Sequence, residues 1–141
     1  MRKSLRNKAL READRLITGT YNDQKWFTPG GWYATIYPVY EGYRVLKDQT
    51  VSTAEPNMAP IIDNLPKMTK ATEFDHDQDP EAVYIRTIDM FAGIKVNALY
   101  FELLKDLHPD AEIRVSEQDK FAPVGFYEGS KLVALLMPLR R

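Results

Sequence analysis

The chain has no cysteine among its 141 residues, which excludes disulfide staples and thiolate metal sites. Nor has it an apolar run near the ~20 residues that span a bilayer. The longest, Leu132-Val133-Ala134-Leu135-Leu136-Met137, has the length of a buried strand. No hydrophobic signal core follows the basic start, so a cytoplasmic protein without a membrane partner is expected. No nucleophile elbow or paired-histidine motif is present, and Gly30-Gly31 lacks the Lys-Ser or Lys-Thr that follows in a phosphate-binding loop. These absences predict a protein that is not an enzyme and uses no cofactor and no metal. What is there suits one folded domain: 44% hydrophobic and 28% charged residues, in a length close to the usual domain of roughly 100–150.

The net charge of −1 conceals a segregation. Arg2, Lys3, Arg6, Lys8, Arg11 and Arg15 stand against Glu12 and Asp14, so residues 2–15 carry +4 and the rest −5. Helix N-termini ordinarily favour acids, because their free N–H groups are partly positive. Cations there therefore point to a use outside the fold. Residues 4–18 read as an amphipathic helix with Leu5, Ala9, Ala13, Leu16 and Ile17 on one face. Ser4, Lys8, Arg11 and Arg15 lie opposite, and Gly19 is the expected C-cap. An ordinary solvated face has the same pattern, Lys8 and Glu12 forming an i,i+4 pair.

Beyond Pro29-Gly30-Gly31 the aromatic and β-branched run Trp32–Tyr40 predicts a strand, and Tyr43–Lys47 a second after the Glu41-Gly42 turn. Pro56, Pro60, Pro66 and Pro80, with the acidic tract of 75–79, make 48–80 read as loops with short interruptions. Val83–Ile88 and Gly93–Val96 then read as extended pieces. Asn97 caps a helix that turns Leu99, Leu103, Leu104 and Leu107 inward, and His108-Pro109-Asp110 stops it. Strands are expected from Ile113, over Val124–Tyr127 and over Leu132–Met137, with Glu128-Gly129 as a hairpin turn. The order predicts an α+β domain over 1–141 in two helix-plus-antiparallel-sheet halves, about 1–80 and 81–141.

Ile94–Arg141 resembles the end of the third domain of the bacterial sliding clamp, the β subunit of the replicative DNA polymerase III. The resemblance rests on the helix pattern Asn97, Tyr100, Leu104 (one place early) and Leu107. It continues through the alternating strand Ala111–Val115, the turn with Asp119 and Pro123, and the ending Met137-Pro138-Leu139-Arg140. Glu41-Gly42-Tyr43-Arg44 echoes a family turn. The resemblance covers about a third of the chain, and clamp subunits hold three such domains where this chain has room for one. It implies a DNA-clamp-like single domain, a non-enzymatic processivity factor in DNA replication. It also implies an apolar groove for short peptides of polymerases or repair proteins, at Met137, Pro138, Leu139 and Arg140 with Tyr43 and Arg44. A clamp encircles duplex DNA through helix-borne cations that neutralise phosphates without reading sequence, work suited to Arg2, Lys3, Arg6, Lys8, Arg11 and Arg15. A ring of this chain alone would be a homo-oligomer of about six copies.

Other readings compete. The chain could bind protein partners without touching DNA. Asp75-His76-Asp77-Gln78-Asp79 could hold a hard cation for a small hydrolase, though the glycine and later Glu of an EF-hand loop are missing. Trp26, Phe27, Trp32, Tyr33 and Tyr37 could stack on unpaired bases, or pack a core. His108, at the helix end, is expected to meet helix carbonyls.

Overall fold

A computed structural model describes residues 16–28, 33–36, 51–52, 59–75 and 81–139. The first described strand, β1 (Leu16–Tyr21), turns through Asn22-Asp23 into β2 (Gln24–Thr28). Both turn residues have positive φ, 47° and 63°, as a two-residue type I′ hairpin requires, and Asn and Asp tolerate that conformation. Sequence had predicted a helix over 4–18 capped by Gly19. Leu16–Thr18 instead open β1, and Gly19 sits mid-strand opposite Trp26. The β-branched residues of Leu16-Ile17-Thr18-Gly19-Thr20-Tyr21 and the turn after them favour the strand. Residues 4–15 lie outside the described residues.

Next come β3 (Tyr33–Ile36), β4 (Val51–Ser52), α1 (Ala59–Asp63), β5 (Thr69–Lys70) and β6 (Glu73–Asp75). Of the expected strand Trp32–Tyr40 the described residues 33–36 form β3; residues 32 and 37–40, and the predicted strand at Tyr43–Lys47, lie outside the described residues. The short interruptions expected within 48–80 are, among the described residues, one short helix and three short strands. The rest follows the sequence closely: β7 (Ala82–Arg86), β8 (Ile94–Asn97), α2 (Ala98–Leu107), β9 (Glu112–Val115), β10 (Val124–Glu128) and β11 (Lys131–Leu136).

Eight strands form one sheet in the order β4-β1-β2-β3-β11-β10-β9-β5, and β6-β7-β8 form a second. Among the described residues every pairing but the parallel β1–β4 contact is antiparallel. Two meanders, β1-β2-β3 and β9-β10-β11, meet at the centre through β3 and β11. The fold is α+β and dominated by antiparallel sheet. Gly129 begins the β10–β11 turn at φ 64°, a conformation glycine adopts freely. Register slips between Phe126 and Tyr127, whose partners are Ala134 and Leu132, so Val133 is the extra residue of a bulge.

Helix α2 contacts β7, β8 and β11, and the main core lies among them. Val83, Ile85, Val96, Phe101, Leu103, Leu104, Phe126 and Leu136 are buried there. Leu99 and Leu107, expected inside, are half-buried at its margin. Trp26 and Ala34 make a smaller core on the other face of the large sheet with Ile62 of α1, Leu132 and Tyr21. With both faces covered, β11 buries four consecutive residues, Val133–Leu136. Trp26 and Tyr33 are 2% exposed and pack these cores, so neither stacks on a base.

Asn97 caps α2 as expected, its side-chain oxygen accepting from the Tyr100 N–H at 3.0 Å. Asn97→Ala should cost about 1 kcal/mol in urea denaturation, and Asn97→Asp much less. Leu104→Ala, at a fully buried site, should cost about 2–5 kcal/mol.

Candidate functional site

Beyond β11 the chain continues as Met137-Pro138-Leu139, all three half-buried. Proline has no N–H to give to a ladder, which fits the strand ending at Leu136. The Leu139 N–H then donates to the Lys95 carbonyl at 2.8 Å, fastening the tail along β8. Leu139 thereby forms one wall of a recess of about 360 Å³ whose other walls are Tyr84, Gly93, Ile94, Lys95, Lys120 and Phe121. Tyr84, Ile94, Phe121 and Leu139 supply apolar surface. Among the described residues the lining carries two ammonium groups and no carboxylate. The Lys95 ammonium lies 5.7 Å from the Tyr84 ring centroid. An apolar recess with a cationic rim has the chemistry suited to an apolar side chain from a segment that also carries acids.

Of the residues singled out in the sequence, Leu139 lines the recess, while Met137 and Pro138 lead to it along the tail without lining it. Tyr43, Arg44 and Arg140 lie outside the described residues, as do Arg2, Lys3, Arg6, Lys8, Arg11 and Arg15. Tyr84, Lys95 and Phe121 were missed, because the recess joins β7, β8, the β9–β10 loop and the tail. Phe121 is 53% exposed, and an aromatic residue inside the polar stretch 116–123 was the available signal. Ile88 corrects another expectation. Placed at the end of a strand by its sequence, it stands in the loop after β7, where the chain turns at Thr87.

The acidic tract is represented by Asp75, in β6. Its carboxylate accepts from the Arg86 guanidinium, which also lies near Glu73. Among the described residues no group of three metal-ligating side chains forms; His76, Asp77 and Asp79 lie outside them. On the outer face of the large sheet Gly125 makes room for the Tyr127 ring, since a Cβ there would meet that ring at 2.5 Å. The Arg114 guanidinium lies 4.4 Å from the same ring's centroid. Burial raises the Tyr127 pKa, and the Arg114 charge opposes that rise.

His108 behaves differently from expectation. Its backbone N–H does bond the Leu104 carbonyl at 3.0 Å, closing α2. Its ring turns to the sheet instead, with Nε2 2.6 Å from the Thr35 hydroxyl and Nδ1 3.5 Å from the Glu128 carboxylate. The Thr35 hydroxyl also lies 3.3 Å from the carbonyl of Val133, the bulge residue. A carboxylate only accepts, so Nδ1–H faces Glu128 and, in the neutral ring, Nε2 accepts from the Thr35 hydroxyl. Hydroxyl, imidazole and carboxylate stand in the order of a nucleophilic triad. Thr35 and His108 are 0% and 3% exposed, so no substrate reaches the hydroxyl in this structure. The trio joins the end of α2 to β3, β10 and β11.

Burial lowers the His108 pKa, and the Glu128 carboxylate, which pulls it upward, does not cancel that effect. The unfolded chain, with an ordinary value of about 6.5, binds the proton more readily. Stability from this source is complete above that pH and declines as pH falls toward the folded value. Urea midpoints should therefore drop as pH is lowered below about 6.5. His108→Gln should flatten that slope, and an unchanged slope would assign the titration to another group.

Comparison with protein-family models, with curated proteins and with solved structures finds no match to this chain.

Proposed function

We propose that this chain is a single-domain, clamp-like accessory protein of DNA replication that works by binding and not by catalysis. It takes short peptides of polymerases or repair proteins at its tail and holds duplex DNA through its basic N-terminal stretch. One observation carries the reading. The Leu139 N–H on the Lys95 carbonyl holds Leu139, one of the tail residues selected by the clamp resemblance, in the wall of an apolar recess. The central joining of two antiparallel meanders also agrees with a domain of two similar halves. The DNA role rests on the charge of residues 2–15. Helix α2 adds little to it: its outer side mixes Glu102, Lys105 and Asp106, and the Lys105 ammonium lies over the Phe74 and Phe101 rings.

A second reading, a peptide-binding module that does not touch DNA, draws on the same recess. The two separate by substitution. Reversing Lys8, Arg11 and Arg15 to Glu should abolish retention of duplex DNA at low salt, and retention by the unaltered chain should fall steeply as salt rises. Retention unaffected by the reversal would leave the peptide role alone. Leu139→Asp should abolish polarisation of a labelled polymerase C-terminal peptide while the circular dichroism spectrum is preserved. Undiminished peptide binding would remove the tail from the site.

A further inference from the structure

The loop between β7 and β8 sets two large apolar side chains in water: Ile88 is 86% exposed and Phe91 101%. The loop is braced. The Met90 N–H bonds the Thr87 carbonyl at 3.2 Å, and Met90 packs against the main core. The Thr87 hydroxyl donates to Glu117, tying this loop to the one between β9 and β10. Phe91 is thus an apolar knob on a fixed turn. Two residues on, Gly93 lines the recess of Tyr84, Ile94, Phe121 and Leu139. Knob and socket adjoin on one surface.

We infer that a second copy of this chain occupies the recess, the Phe91 ring of each copy entering the socket of the other. Because the two features are neighbours, reciprocal insertion about a twofold axis satisfies both at once and closes a dimer. The charges agree. Asp89 is exposed in the knob loop, Lys120 is exposed on the socket rim, and neither forms an ion pair among the described residues. In the reciprocal arrangement Asp89 of one copy approaches Lys120 of the other, a complementarity that fixes register. The recess is the one assigned above to peptides, so a bound peptide and a second copy exclude each other there, while dimer formation does not require that peptides bind.

Sedimentation of the intact chain over a concentration series tests the inference. A dimer is expected, and Phe91→Ala should raise its dissociation constant at least about tenfold, as loss of a central aromatic anchor does. Phe91 supports no core, so the variant should keep the circular dichroism and melting of the unaltered chain. Asp89→Lys and Lys120→Asp should each weaken the dimer, and together they should restore it. A chain that stays monomeric at the highest attainable concentration overturns the inference. So does a Phe91→Ala variant of unchanged mass, or a double reversal no stronger than the singles. Mass and peptide polarisation are read separately, so failure of one reading is distinguishable from failure of the other.

Discussion

The pairing of β3 with β11 is the contact on which the rest depends. Three register pairs, Tyr33 with Leu136, Ala34 with Leu135 and Thr35 with Ala134, join the two meanders into one sheet. The residues involved are about a hundred positions apart, and closing so long a loop opposes folding by an entropy that grows only with the logarithm of its length. Burial on both faces opposes that cost. Phe101, Leu103 and Leu104 cover one side, and Trp26 with Ile62 covers the other. Inside the seam the Thr35 hydroxyl and the His108 ring satisfy each other, so the seam also fixes where α2 ends. A polar link buried there adds direction to a join that apolar packing alone would leave free to slide.

What the chain revealed in advance follows from range. Helix α2 was legible because its determinants are local: Asn97 at the start, leucines at helical spacing, and Pro109 beyond the end. The β9-β10-β11 meander was legible from alternation and from Gly129. Leu16 and Ile17 misled, since their spacing from Ala13 suits a helix face as well as a strand start. The Asn22-Asp23 turn decides between the two. Strand β5, of two residues, is too short for any periodicity to register.

The site divides the same way. Met137, Pro138 and Leu139 were reachable through the clamp resemblance, but the carbonyl that fastens them belongs to Lys95, 44 positions earlier in the chain. The His108 ring bonds Thr35 across 73 positions, so a reading of the helix end alone turned it to the wrong partner. The outward Phe91 was hidden for another reason. In sequence an apolar residue between strands looks like core, and the tight turn at Thr87 sends it into water.

The β5 border of the large sheet carries a consequence of its own. There the outermost described strand pairs two residues, Thr69 and Lys70, with β9, against four to six residues in β9, β10 and β11 beside it. A sheet grows by adding chains to its border, and a border this short offers a newcomer little template. Stacking into fibres finds little to start from on this side, three strands away from the long, apolar β11.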